Sequence, residues 1–385
     1  MGIALASLAG TVSAGPWSIE PRLGVSTDFS TNPELRAVDP VAEEHVAALF
    51  NLPLRYDTDG AEFSLIPSGR LSDSRGYSSL ASNSARVDAD AQFVSDLGSW
   101  ALQGALSRDS TLYSSGLVAY GYGVGVRRDT ATTAVDWTRS LTERNQIQLD
   151  ASWSRVLYDQ PKNATSLVDY RYINAGPTFS YVATERDTLK VLGSVGLYQS
   201  IDRITQSKSD NFQLGYVRQL TQLWSLSANA GYSQSKNSTK FYFGPFYLGT
   251  LSANQDGTVY SVNLSRQGEQ LNLNGGVSRA LQPTGFAYLS RQDSVTANAA
   301  YASSERLSFS LNGAWQRESD PIRAGDTIHL RYLNVQITAA WYWTPQWVLS
   351  LHGSRNSREF GPPNVSANST GVSFDIVRQF LRTEL

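Results

Sequence analysis

Apolar and polar residues alternate one by one over run after run of this chain, and short polar tetrapeptides punctuate the runs. From Gln146 to Trp153 the apolar positions are Ile147, Leu149, Ala151 and Trp153, and the polar ones include Gln146, Gln148 and Asp150. The pattern returns as Leu226, Ala228, Ala230 and Tyr232 against Ser225, Ser227 and Asn229, and as Leu307, Phe309 and Leu311 against Ser308, Ser310 and Asn312. Leu141-Thr142-Glu143-Arg144, Ala183-Thr184-Glu185-Arg186, Leu220-Thr221-Gln222-Leu223, Ser303-Ser304-Glu305-Arg306 and Trp343-Thr344-Pro345-Gln346 supply the punctuation. Successive side chains of a strand point to opposite faces, so each run predicts a strand with one apolar and one wet face. Hairpin after hairpin of this kind predicts an all-β transmembrane antiparallel barrel.

Strands are expected near 17–27, 45–57, 61–73, 85–96, 99–110, 124–140, 145–158, 169–183 and 187–202. Nine more follow near 209–220, 223–235, 257–267, 269–280, 290–303, 306–319, 328–342, 346–358 and 368–380, making eighteen. Connections after even-numbered strands are short, as at 58–60, 97–98, 268 and 344–345, and those after odd-numbered strands are longer, as at 28–44, 111–123 and 236–256. With the mature N-terminus in the periplasm, every short turn is periplasmic and every long loop extracellular, the usual asymmetry of outer-membrane barrels. Closure pairs 17–27 with 368–380, because no backbone group can be left unpaired in lipid.

Aromatic residues supply a ruler. Trp17, Trp100, Trp137, Trp224, Trp341, Trp343 and Trp347 fall near periplasmic strand ends, whereas Trp153 and Trp315 each lie nine residues beyond Arg144 and Arg306. Nine residues of tilted strand rise about 23 Å, close to the apolar band of such barrels. The alternation then directs Ile147, Leu149, Ala151, Trp153, Leu226, Ala228, Leu307, Phe309, Leu349 and Leu351 to lipid. It directs Gln146, Gln148, Asp150, Ser225, Ser227, Asn229, Ser308, Ser310 and Asn312 to the lumen. Val372, Phe374, Ile376 and Phe380 alternate toward a terminal aromatic, a pattern interrupted by Arg378.

Composition agrees with this reading. The 385 residues include no Cys, 17% are charged, and the net charge is −2, so no basic surface recommends a nucleic-acid partner. No apolar run reaches the roughly 18 residues of a spanning helix, so a membrane role falls to strands. Residues 1–14 read as the remainder of a secretory leader, with Val12-Ser13-Ala14 before Gly15 as a small-residue cleavage site and the true start placed upstream of Met1. Residues 15–385 then form a single barrel domain.

Candidate chemistry is sparse. His45, His329 and His352 have no metal spacing, and no Gly-x-Ser-x-Gly elbow is present, so neither a metal, a cofactor nor an enzymatic activity is expected. His352 falls on the wet parity and reads as a polar lumenal residue. The recurring Glu143, Arg144, Glu185, Arg186, Glu305 and Arg306 read as solvated turn residues. One segment stands apart: Phe241, Tyr242, Phe243, Phe246 and Tyr247 crowd into the expected extracellular loop 236–256. Such a cluster marks a contact surface or folds inward. It is either a loop dipping into the channel mouth or a strand extension above the membrane.

The repeated Leu-Thr-Glu-Arg turns, the Ser-Leu-Ser strands after them and Asp169-Tyr170-Arg171-Tyr172 resemble the outer-membrane barrels associated with exosortase (PEP-CTERM) and exopolysaccharide loci, over roughly 17–380. The resemblance implies an eighteen-stranded barrel in contact with outer-membrane lipid, a polysaccharide chain as cargo and a periplasmic polysaccharide co-export protein as partner. The expected function is therefore an exopolysaccharide export channel, its hydroxyl and amide lining binding sugars weakly and repeatedly. The alternative is a general or sugar-selective diffusion porin, although no constricting loop with opposed acidic and basic clusters is evident. A siderophore-type transporter with a plug and about twenty-two strands does not fit the length.

Overall fold

A computed structural model describes residues 17–75, 83–110, 126–159, 167–243, 245–285, 289–319, 329–361 and 365–384. The expected leader lies outside them, as does the whole of the expected loop 111–123. The strands are β1 (Trp17–Ile19), β2 (Arg22–Ser30), β3 (Glu43–Asn51), β4 (Leu54–Thr58), β5 (Ala61–Arg75), β6 (Ser84–Ser95) and β7 (Gly98–Ser110). Next come β8 (Arg127–Ser140), β9 (Asn145–Asp159), β10 (Tyr170–Val182), β11 (Asp187–Ser200), β12 (Thr205–Gln219), β13 (Trp224–Phe243) and β14 (Phe246–Arg266). The last are β15 (Leu271–Pro283), β16 (Leu289–Ser304), β17 (Leu307–Ser319), β18 (His329–Thr344), β19 (Trp347–Gly361), β20 (Val365–Gln379) and β21 (Thr383–Glu384).

Setting aside the short β1, β4 and β21, eighteen strands pair antiparallel in one closed sheet. Closure is made by β2 on β20, from Arg22 opposite Gln379 to Ser30 opposite Gly371. Two expected strands are broken by proline, which lacks the N–H that a ladder requires. The 17–27 segment divides at Glu20-Pro21 into β1 and β2, and 45–57 divides at Leu52-Pro53 into β3 and β4. The freed ends form a small annex at the short-turn end, with β1 pairing both β4 and β21. The Trp17 ring packs there against Tyr56, with centroids 5.0 Å apart.

The expected loop 236–256 is a correction of larger scale. β13 and β14 run on as a paired hairpin from Trp224 opposite Arg266 to Phe243 opposite Phe246. Residues 233–240 alternate only between polar types, so hydropathy could not distinguish them from a loop. The hairpin outruns its neighbours. On one side β12 begins at Thr205, opposite Thr239, and on the other β15 pairs β14 only as far as Tyr260.

The two faces of the wall differ as alternation requires. Leu149, Trp153, Phe179, Val191, Leu214, Tyr232, Phe309, Leu311 and Leu351 stand exposed on the outer face. Near the short turns Phe93, Trp100 and Trp137 occupy consecutive cross-strand positions, and the two indoles lie 5.9 Å apart. Trp153 and Trp315 lie toward the other end of the wall. An apolar outer band edged by aromatic rings is what a bilayer demands of a closed barrel. The protein is a barrel of the bacterial outer membrane. Arg378, which interrupts the C-terminal pattern, lays its guanidinium over the rings of Trp347 and Phe380, at 5.7 and 4.8 Å. A cation stacked on two rings is tolerated on an otherwise apolar face.

Candidate lumenal site

An eighteen-stranded barrel is too wide for its own side chains to fill, so what lines and crosses the interior decides what it does. Two connections at the long-loop end fold inward. Residues 31–42 turn back over the inner face of β18–β20: Leu35 packs with Leu330, Tyr332 and Ala367, and Arg358 donates to the Leu35 carbonyl at 2.9 Å. Leu35 has a φ of 49°, the left-handed region that a branched side chain avoids. Its burial and the Arg358 bond hold it there. Asn32 closes the turn, accepting from the Arg36 N–H at 2.9 Å and donating to the Asn368 carbonyl at 3.2 Å.

The described residues flanking the β15–β16 connection, Thr284, Gly285 and the first residue of β16, Leu289, behave alike on the other side. Leu289 packs into a buried cluster with Val126, Val156, Tyr158, Leu167, Tyr170 and Tyr198. These tyrosines belong to β9, β10 and β11, so the contact bridges strands separated by β12–β14 around the wall. Only the inner face permits such a chord. Gly285 lies so close that an added Cβ would meet the Tyr158 hydroxyl at 2.8 Å. Of the two readings of the aromatic segment, the strand extension is the one observed; the inward residues seen among the described ones lie in these two connections, neither of which carries a periodic signal.

The polar parity of β2–β8 carries charges. Arg70 on β5 grips Asp28 on β2 through Nη2, at 2.5 and 2.7 Å from the two carboxylate oxygens. It spans β3 because the intervening Ala47 is small and buried. Arg86 pairs with Asp88 on its own strand at 2.6 Å, and Arg128 on β8 pairs with Asp109 on β7 at 3.0 Å. Arg70, Arg86, Asp28, Asp109, His45 and His352 share a lumenal recess of about 510 Å³, completed by β18–β20. Arg86 is about half exposed, whereas the Arg70–Asp28 and Arg128–Asp109 pairs are largely covered by the wall. All of them impose a field on a solute confined beside them. Of these residues only His352 was expected on the wet parity, and the meeting of all six depends on register and on closure of the sheet.

His352 bridges Thr338 at 2.9 Å and Asp375 at 2.9 Å within this wall. The order carboxylate, imidazole, hydroxyl invites a nucleophilic reading, but acyl transfer also needs N–H donors aimed at the developing oxyanion. β18, β19 and β20 are paired through these residues, so their N–H groups serve the ladder. The bridge ties three strands together. His45 meets Glu43 at 3.1 Å, both buried beneath the long-loop end.

The residues expected to line the pore lie on the same parity. Gln148 donates to Asp150 at 2.5 Å, the Ser225 and Ser265 hydroxyls hydrogen-bond at 2.7 Å, and Asn229 donates to Ser261 at 3.1 Å. Gln146 pairs opposite Ser180, Ser308 opposite Ala340, Ser310 opposite Thr338 and Asn312 opposite Gln336. Asn229, Ser261, Ser152, Asn174 and Ser278 border a second, mainly uncharged recess of about 390 Å³. Phe241, Tyr242, Phe243, Phe246 and Tyr247 are exposed at the tip of the β13–β14 hairpin, away from both recesses.

No family model and no curated protein matches the chain. Among solved structures, the outer-membrane protein OpdK from Pseudomonas aeruginosa is similar with a TM-score of 0.48 and 13% identity, over 94% of this chain and 99% of that one. Pseudomonas aeruginosa OpdQ is similar at 0.47 and 13%, over 97% and 100%. The unliganded ferric citrate transporter FecA is similar at 0.48 and 7%, over 94% and 78%.

Proposed function

We propose that this barrel is a diffusion porin for small polar solutes, selective through the ion-paired wall of β2–β8. The observation that carries it is the recess of about 510 Å³ in which Arg70 and Arg86 face the same space as Asp28 and Asp109. That volume suits a small molecule. Charges of both signs across a narrowed aqueous path favour small ionic or zwitterionic solutes over a long neutral chain, which would have to slide past fixed ion pairs. The short turns lie in the periplasm and the long loops outside, so the inward residues 31–42, together with Thr284, Gly285 and Leu289, narrow the external mouth.

Exopolysaccharide export with a periplasmic co-export partner is the second reading. The uncharged recess around Asn229 supports it, since hydroxyls and amides exchange hydrogen bonds with sugars without trapping them. The two readings part in one pair of measurements. Purified barrel in liposomes should admit small amino and sugar acids, and a deletion strain should keep its surface carbohydrate. Liposomes that stay impermeable, together with loss of surface polymer, would replace the porin with the exporter.

A further inference from the structure

The outer wall carries an arrangement that a solute channel does not need. Trp153 and Arg155 are successive outward residues of β9, and directly opposite them on β10 lie Ile173 and Arg171. Two arginines in cross-strand register repel one another. Neither forms an ion pair with a carboxylate among the described residues, and Arg171 donates only to the neutral Gln199, at 3.0 Å. The pair sits one step beyond Trp153, at the long-loop edge of the apolar band, where headgroups begin.

Beside it the wall is concave. A groove of about 500 Å³ runs over the apolar side chains of Pro67, Val87, Leu106, Ala131 and Leu157, with Arg155 on its rim. The other arginines along it are already matched, Arg108 by Asp129 at 3.2 Å and Arg86 by Asp88 at 2.6 Å. Apolar trough and unmatched cations together describe an amphiphile with a doubly charged head.

The chain contains a near copy that sharpens the point. Arg171-Tyr172-Ile173-Asn174 recurs as Arg331-Tyr332-Leu333-Asn334, and Arg331 again faces an arginine, Arg317, beyond Trp315. There, however, Glu359 holds Arg331 at 3.1 Å. The same motif is neutralised on β17–β18 and left open on β9–β10.

We propose that Arg155 and Arg171 bind the phosphate of an outer-leaflet glycolipid whose acyl chain lies in the adjoining groove. Guanidinium forks match phosphate oxygens geometrically and in charge, and a phosphate between the two arginines converts their repulsion into a bridge. The inference rests on the sidedness proposed above, which puts this edge in the outer leaflet.

The test is native mass spectrometry of the detergent-purified barrel titrated with four probes: bisphosphorylated lipid A, its dephosphorylated form, phosphatidylglycerol and inorganic phosphate. Lipid A should bind about tenfold or more tightly than each of the others, the scale of one lost charge-assisted contact. Arg155→Gln with Arg171→Gln should remove that preference, and Arg317→Gln should not. Leu106→Trp, which fills the groove and leaves both arginines, should also weaken lipid A; this second variant stands if the double one fails to fold. Equal binding of the dephosphorylated lipid, of phosphatidylglycerol or of free phosphate would overturn the proposal, as would a Leu106→Trp barrel of unchanged affinity. Since binding in detergent does not depend on orientation, surface labelling of a Phe243→Cys barrel in intact cells separately checks the sidedness.

Discussion

The Tyr198 hydroxyl donates to the carbonyl of Thr284 at 3.3 Å, joining β11 to the connection that follows β15. Tyr198 is fully buried, stacked on Tyr170 with ring centroids 5.1 Å apart. Val168 N–H donates to the Gly285 carbonyl at 2.7 Å beside it. One wall of the barrel thus holds a strap that originates four strands away.

Tyr198→Phe removes one hydrogen bond, worth about 1 kcal/mol, and leaves the stack. Gly285→Ala is the harsher change, because its methyl must displace the Tyr158 hydroxyl or Leu167. Both should raise single-channel conductance or its noise, Gly285→Ala more, with heat-modifiable mobility unchanged because no wall pairing is touched. Identical traces for wild type and Gly285→Ala would mean that the strap does not narrow the path.

Arg70→Gln leaves Asp28 without its cation and makes the recess more negative. Reversal potentials in a salt gradient should shift toward cation permeability, and Asp28→Asn should shift them the other way. Shifts of the same sign in both variants would show that the pair does not set the lumenal field.

Eighteen strands and two faces were legible because alternation repeats through the membrane-spanning runs and a slip of one residue would turn Leu307 or Phe309 to the wrong side. Three things were not. The Glu20-Pro21 and Leu52-Pro53 breaks interrupt pairing without interrupting the hydropathy pattern. The hairpin beyond Ser233 leaves the membrane, where both faces can be polar. The ion pairs of the recess join residues such as Arg70 and Asp28 on strands that meet only through register and closure. A wet-parity arginine announces its face but not its partner.

The ring cluster at 241–247 calls for a different outcome from the one a mouth-lining loop would give. Phe243 and Phe246 are 75% and 70% exposed, and Tyr242 packs with Tyr247 at 5.7 Å between centroids. Replacing Phe241, Tyr242, Phe243, Phe246 and Tyr247 together by Ser should leave conductance unchanged, because the tip stands beyond the wall. It should reduce adhesion of the protein to apolar surfaces, since an exposed ring cluster is a contact surface. Altered conductance in this variant would place the tip over the mouth.

Leu311 lies midway between Leu307 and Trp315 on the outer face of β17, and Asn312 follows it on the inner face. Leu311→Arg puts a charge near the bilayer midplane, at a cost of roughly 2–4 kcal/mol. Asn312→Arg extends into lumenal water and should change stability by no more than about 0.5 kcal/mol. Urea unfolding of the two variants in lipid vesicles reads the difference directly. A soluble sandwich would bury one of these faces in a dry core and penalise the charge placed there, with no dependence on lipid. The barrel instead makes the penalty of Leu311→Arg depend on the apolar band: it should fall as the charge is moved along the same face to Trp315→Arg, near the headgroups. A penalty that stays constant along that face, or that falls on Asn312, would reverse the assignment of inside and outside on which the lumenal site depends.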